Sequence, residues 1–282
     1  MMAMIGTRWL TTPLNPAPPG EGSRPARRRA AGRLALTLAV LILLGWGMGV
    51  VVLHVAPGVF HRGVDRPLSR WLHMHRNRGL TSGLEWLALL GSQAGALAVA
   101  SVAGVIWAAR RRNPAPLVAL VVAYTGGGAI TLVVKLLVRR GQSEVPHGLA
   151  GVTQLAFPSG HATLAAAVYG TAAYLLFRPA GHAPAHDPAP VGGWLRTAAV
   201  AALVALAVTI GVARVYTGQH DTTDVVAGWI LGGLWARAVT SRMSPIVGSD
   251  SLGSFRAGFA ARILPRPFRP GRADRALSRR TR

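Results

Sequence analysis

Long apolar segments separated by short polar stretches constrain this sequence more than any other feature. The first runs from Leu34 to about His54, close to the ~20 residues that an α-helix needs to cross a bilayer. Five more follow, at about Thr81–Ala109, Pro114–Val138, Ser159–Phe177, Trp194–Val212 and Thr222–Val239. We therefore predict an all-α, polytopic membrane protein whose six transmembrane helices lie within a domain of residues 34–242.

The composition agrees with a membrane location. Hydrophobic residues make up 51% of the chain and charged residues only 14%, a balance typical of membrane proteins. The chain contains no cysteine, which excludes disulfides, thiolate chemistry and cysteine-based zinc sites. A signal peptide is the alternative for the first segment, but its apolar core would span only ~7–15 residues, so we predict an uncleaved anchor.

Basic residues are distributed unevenly over the predicted topology. Of the 31 Lys and Arg residues, 22 fall on the side of the two termini and 9 on the other side. Because cytoplasmic loops carry the excess of basic residues, we predict a multi-pass protein of the cell membrane with both termini in the cytoplasm. Residues 1–33 are predicted to be a disordered basic tail, and residues 243–282 a basic cytosolic tail with a short amphipathic piece at 255–268. Anionic lipid explains the net charge of +22 without nucleic acid.

Other polar residues have simple structural explanations. Glu85 lies near the outer end of the second segment, where snorkelling or an arginine partner explains it better than function does. Val64–Leu72 is typical of a short amphipathic helix with Trp71 at the interface. The two histidines and one aspartate in the loop at 180–193 fit a proline-rich linker better than a metal site.

The six-helix topology brings two polar stretches to one membrane face. The first follows the third segment and contains Lys135, the only lysine of the chain, and the sequence Pro-Ser-Gly-His at 158–161. The second is Arg214–Asp224, between the fifth and sixth segments. Cations on the outer face run against the inside bias, so we expect them to bind a specific anion.

The residue types in these stretches predict phosphoryl chemistry. His220 and Asp224 are four residues apart at the start of a helix, which places them on one face. A carboxylate on one imidazole nitrogen fixes the tautomer and leaves the other nitrogen available for attack. Arg214 offers a planar fork for phosphate oxygens. His161 lies in the first turn of a helix whose N-terminus favours anions, so it can exchange a proton with a bound anion.

These motifs resemble the type 2 phosphatidic acid phosphatase (PAP2) superfamily of membrane lipid phosphatases. Its three signatures are K-x6-R-P, P-S-G-H and S-R-x5-H-x3-D. The second is intact at 158–161, and the third fits Ala213–Asp224, with alanine in place of the usual serine. The resemblance covers about residues 34–240 and implies a helical bundle of the PAP2 and haloperoxidase type.

The first signature departs from the pattern. Lys135 is present, but the expected arginine and proline fall at Gln142 and Ser143. Glutamine donates hydrogen bonds but carries no charge. Arg139 and Arg140 offer a cation from a shifted position, and we assign this role to Arg140.

The resemblance implies hydrolysis of a phosphomonoester or pyrophosphate without metal or cofactor. His220 would attack phosphorus to form a phosphohistidine, Asp224 would orient it, and His161 would protonate the leaving oxygen. Groups from five residues would bind the phosphoryl oxygens: Lys135, Arg140, Ser159, Gly160 and Arg214. No pair of the nine acids has obvious metal-ligand spacing along the sequence.

The expected substrate is an amphiphile whose phosphate lies at the outer headgroup level. Undecaprenyl pyrophosphate, another polyprenyl phosphate, phosphatidic acid and phosphatidylglycerol phosphate all fit, and the sequence does not choose among them. A phosphotransferase on the same scaffold is one alternative. A non-catalytic member that binds phospholipid or a partner protein is the other, because Gln142 and Ser143 replace the motif residues. The oligomeric state is left open.

Overall fold

The computed structural model describes residues 23–141, 155–177 and 193–247. Within these ranges the regular elements are helices, apart from one isolated antiparallel bridge between Gly141 and Leu155. The predicted all-α class is therefore confirmed. Several predictions fall outside the described residues: those for Gln142 and Ser143, for the proline-rich linker, and for most of both tails.

Eight α-helices follow one another along the described chain: α1 (Ser23–Val50), α2 (Arg66–Met74), α3 (Arg78–Ala88), α4 (Gln93–Arg111), α5 (Ala115–Val138), α6 (Gly160–Phe177), α7 (Gly193–Tyr216) and α8 (Thr222–Val247). Two π-helical segments, Val51–Val55 and Gly58–Asp65, lie between α1 and α2, and a 3-10 turn at Leu89–Gly91 lies between α3 and α4. The described residues from Ala30 onward belong to one compact unit.

Most predicted segments coincide with observed helices. The third and fourth correspond to α5 and α6, while α7 and α8 extend beyond the fifth and sixth segments at their C-terminal ends. The first helix begins at Ser23 rather than at Leu34, because alanine and arginine in the basic run are good helix formers. The predicted amphipathic helix is observed as α2, on which Trp71 is 53% exposed.

The second segment is not a single helix, so the prediction of one continuous span over Thr81–Ala109 is wrong. Helix α3 ends at Ala88, and Ser92 then adopts an extended backbone conformation with ψ 164°. The Ser92 hydroxyl accepts a hydrogen bond from Gly95 N at 3.0 Å and so caps α4. The apolar residues around this break hide it from hydropathy, which is why the sequence alone suggested one span.

Four helices of the described chain are long and apolar enough to cross a membrane: Arg28–Val55, Gln93–Arg111, Ala115–Val138 and Gly193–Tyr216. The chain is thus a multi-pass membrane protein. Helices α6 and α8 are 18 and 26 residues long, and they pack extensively against each other. Neither of these two helices is among the four, so six as the number of spans stays a prediction. In α6, the many alanine, glycine and threonine residues lower the mean hydropathy.

Close packing of α6 on α8 depends on Gly228. A Cβ atom at this position would lie 2.8 Å from the carbonyl oxygen of Ser159 and 2.9 Å from Cβ of Ala162. Both distances are below ordinary van der Waals contact, so any larger residue would push the start of α6 away from α8.

We expect Gly228→Ala to lower the free energy of unfolding by ~1–3 kcal/mol, as overpacking of a close contact does. Gly233→Ala is the matched control on the same helix, because a Cβ there meets nothing within 4 Å. Thermal unfolding of the two variants in detergent measures the difference. Equal midpoints would show that α6 and α8 can separate at no cost.

Candidate active site

Four helix ends converge where the two polar stretches were predicted to meet. Helices α5 and α7 end there, and α6 and α8 begin there, because consecutive long helices run in opposite directions. The backbone N–H of Ser159 donates to the carbonyl oxygen of Asp224 at 3.0 Å. This hydrogen bond joins the N-terminal ends of α6 and α8 directly, so the motifs at 158–161 and 214–224 lie side by side.

Ser159 sets the start of α6. Its side chain is fully buried, and its carbonyl oxygen accepts hydrogen bonds from the backbone N–H of Thr163 at 3.0 Å and from the Thr163 hydroxyl at 2.9 Å. The Ser159 hydroxyl lies 3.5 Å from Ala162 N, which is a weak cap. The first turn, with Gly160 and His161, therefore presents backbone N–H groups that have no partner within the helix.

His220 and Asp224 form a buried pair. His220 lies in the turn before α8, and its Nδ1 is 3.5 Å from Oδ2 of Asp224, longer than an ordinary hydrogen bond. Burial lowers the pKa of His220 below its usual range; Asp224 opposes this shift, and the positive charges of Lys135 and Arg214 add to it. The imidazole is therefore neutral near pH 7, as a nucleophile must be.

Two cations lie beside this pair. Lys135 is buried in the last turn of α5 and interacts electrostatically with Asp224. Arg214 is in the last turn of α7 and interacts electrostatically with Glu85. Arg214 is therefore the arginine partner that the sequence suggested for Glu85. His161 is within electrostatic reach of Lys135, Arg214 and His220. The structure thus brings together these two cations, both histidines and Asp224.

Several buried polar atoms at this place lack a hydrogen-bond partner among the described residues. They are Nε of Arg214, Nδ1 of His220 and Oγ1 of Thr222. The described part of the chain contains four such side-chain atoms, so three of them lie at this site. A buried donor or acceptor without a partner costs about 1–3 kcal/mol. Their concentration around His220 indicates a site organised to receive a polar ligand.

Arg140 is also brought to this region, but in a different setting from the one expected. Its Nη1 donates to Asp224 Oδ1 at 2.9 Å, and its Nη2 donates to Asp221 Oδ2 at 2.6 Å and lies 3.4 Å from Asp65 Oδ2. Both terminal nitrogens are therefore engaged by carboxylates. This geometry does not favour the phosphate-binding role that the sequence suggested for Arg140.

Asp65 is the site residue that sequence reasoning missed. It was placed on an amphipathic surface helix, whereas the structure buries it completely at the end of the second π-helical segment. Its Oδ1 accepts from Thr223 N at 3.0 Å, and its Oδ2 accepts from the Thr223 hydroxyl at 2.9 Å. The sequence did contain one sign of its importance. The chain has only nine acidic residues, and an acid in a membrane protein needs a partner.

One group of side chains has spacing suited to a cation. Ligand atoms of His61, Asp65 and Asp221 lie within 4.8 Å of one another, a grouping that sequence spacing did not reveal. Arg140 contacts both aspartates of this group. The guanidinium therefore already supplies a positive charge to these carboxylates.

The fold and the site together define a helical membrane protein with a buried histidine–aspartate pair and two cations at one end of its bundle. The sequence model of the PAP2 superfamily matches residues 116–246. Residues 116–246 are thus similar to the PAP2 superfamily, in agreement with the resemblance noted from the motifs. Asp65 lies outside the matched residues.

A solved structure supports the same fold. The chain is similar to the crystal structure of the first transmembrane PAP2 type phosphatidylglycerolphosphate phosphatase from Bacillus subtilis, with a TM-score of 0.59 and 24% sequence identity. The similarity covers 74% of this chain and 96% of that chain. No match was found among curated protein sequences.

Proposed function

We propose that this protein hydrolyses a lipid phosphate or pyrophosphate at the outer face of the membrane, through a phosphohistidine on His220 and without a metal ion. The observation that carries the proposal is the set of unpartnered buried polar atoms around His220, which includes Nε of Arg214. A tetrahedral phosphoryl group supplies several acceptor oxygens at once and would satisfy the guanidinium.

The proposed chemistry has two steps. His161 takes up a proton when the anionic phosphate binds beside it. Nε2 of His220 then attacks phosphorus, the bond from phosphorus to the lipid oxygen breaks, and His161 gives that proton to the leaving oxygen. A water then attacks the phosphohistidine, passes a proton to His161, and releases phosphate. Asp224 orients the imidazole of His220 through Nδ1, which lies 3.5 Å from its Oδ2; sites of this kind tighten when substrate binds.

Charge stabilisation comes from side chains and backbone. Lys135 and Arg214 lie within electrostatic reach of both histidines, so they can neutralise charge that develops on the phosphoryl oxygens. The hydroxyl of Ser159 and the N–H groups at Gly160 and His161 add donors at the start of α6. In this proposal the two cations take the part that a metal ion has in other phosphatases.

The amphiphilic nature of the substrate follows from the position of the site. The described helices expose long apolar faces that suit contact with lipid, and in a bilayer the helix ends that carry the site would lie at headgroup level, where the phosphate of a lipid lies. The excess of basic residues near the termini favours a cytoplasmic location for them and the outer face for the site.

Purified protein in detergent, with chelator present, is expected to release phosphate from at least one member of a panel of lipid phosphates and pyrophosphates. Phosphate release is measured with and without a second lipid alcohol as acceptor. Transfer to that acceptor in preference to water would identify a phosphotransferase instead. Activity that depends fully on an added divalent cation would contradict the metal-independent mechanism, and binding of lipid phosphates without any turnover would indicate a non-catalytic member.

A further inference from the structure

We propose that Arg140 is a positioning residue, held by Asp65, that fixes the carboxylate of Asp224 towards His220, and that Arg140 does not bind the substrate phosphate. This inference rests on the proposed function and deepens it, because it assigns a role to two residues that the motifs leave unexplained. The residues concerned form what we call the Arg140 cluster: Asp65, Arg140, Asp221, Thr223 and Asp224.

The first argument is the occupancy of the guanidinium. Nη1 of Arg140 donates to Asp224 Oδ1 at 2.9 Å and to the Thr223 hydroxyl at 3.1 Å. Nη2 donates to Asp221 Oδ2 at 2.6 Å. The side chain of Arg140 is only 11% exposed. A phosphate could reach these nitrogens only by displacing a buried carboxylate, which would leave that charge without its partner.

The second argument is the geometry of Asp224. Its Oδ1 accepts from Arg140, while its Oδ2 accepts from the backbone N–H of Asp221 at 3.1 Å and faces Nδ1 of His220 at 3.5 Å. Because both oxygens are engaged, the plane of the carboxylate is fixed. Loss of the Arg140 contact would free the carboxylate to rotate away from the imidazole.

The third argument is the position of Asp65. A helix cap would explain its two hydrogen bonds to Thr223 at the start of α8. It does not explain the contact of Oδ2 with Nη2 of Arg140 at 3.4 Å. Asp65 thus links the chain segment before α2 both to α8 and to the guanidinium, and it restrains Arg140 at Nη2, whereas Asp224 contacts Nη1.

The fourth argument is the charge balance next to an anionic substrate. Three buried or half-buried aspartates surround a single guanidinium. Burial raises the pKa of Asp221, with Asp224 and Asp65 adding to the shift and Arg140 opposing it. Without Arg140 these carboxylates would repel a phosphate bound a few residues away, near Lys135 and Arg214.

The test compares Arg140→Gln, Arg140→Lys and Asp65→Asn with Arg139→Gln. Arg139 is the matched control, because it is adjacent and exposed, and its Nε donates only to the carbonyl oxygen of Leu136. We expect Arg140→Gln and Asp65→Asn to lower kcat about 10-fold or more while KM changes less than about 3-fold. Arg140→Lys should recover part of the loss, since an ammonium keeps the charge but not the fork. A rise in KM with unchanged kcat would show that Arg140 binds phosphate and would overturn the proposal.

A second measurement does not depend on turnover. The ¹⁵N chemical shifts of the His220 ring, identified by the signal missing in His220→Gln, report its tautomer. We expect the tautomer with the proton on Nδ1 in the unmodified protein and in Arg139→Gln, and a mixture in Arg140→Gln and Asp65→Asn. If Arg140→Gln or Asp65→Asn folds and its His220 ring keeps the tautomer of the unmodified protein, the positioning role is overturned. One folded variant of the two is sufficient for this test. If no lipid phosphate is hydrolysed but the tautomer responds as expected, the proposed function fails and the positioning role stands.

Discussion

His220→Gln is expected to reduce phosphate release by about a millionfold, to the level of the uncatalysed assay, because the variant has no nucleophile. Glutamine fills most of the volume of the buried imidazole and can still accept or donate near Asp224, so the fold should survive. The measurement is release of phosphate from the best lipid substrate, together with an alkaline denaturing quench of enzyme that has been incubated with the ³²P-labelled substrate. Label should be trapped on the unmodified protein as an acid-labile, base-stable adduct and should be absent from His220→Gln.

The control for this prediction is another histidine of the same chain. His54 is exposed at the end of the first π-helical segment, so His54→Gln should release and trap phosphate as the unmodified protein does. Turnover by His220→Gln at more than about a thousandth of the normal rate would mean that another group attacks phosphorus. Trapping of label in His220→Gln would locate the covalent intermediate on a different residue.

The long helices were predictable from the sequence because their ends are marked by residues with local effects. Helix α5 begins after Pro114 and ends at Val138, and the next residue, Arg139, has a positive φ of 53°; proline suits a helix start, and basic residues suit its end. The break between α3 and α4 was not predictable in the same way. Its only local sign is a glycine followed by Ser92, inside an apolar run long enough to suggest a single span.

The site was predictable to the extent that its residues lie in contiguous motifs. His220 lies in the turn just before α8 and Asp224 in the first turn of that helix, and the N-terminal end of α6 follows directly from the sequence around Ser159. The environment of Arg140 was not predictable, because it depends on acids that are 75 to 84 positions away along the chain. A lone arginine near a motif suggests phosphate binding, whereas the carboxylates around Arg140 are visible only in three dimensions, and the positioning role that we propose rests on them.

The last prediction concerns Arg214, whose buried Nε has no hydrogen-bond partner in the described part of the chain. Arg214→Gln is expected to lower kcat/KM about 10²- to 10³-fold, as loss of a donor to a developing oxyanion does. The same substitution should leave the thermal midpoint unchanged or raise it, because it removes a half-buried charge whose only identified acidic neighbour, Glu85, is exposed. Opposite responses of activity and stability would indicate a residue kept for its ligand.

Arg214→Lys, which keeps the charge without the fork, should restore only part of the activity, and Arg139→Gln should change neither quantity. If Arg214→Gln lowered the thermal midpoint and activity together while KM stayed constant, Arg214 would support the fold rather than bind phosphate.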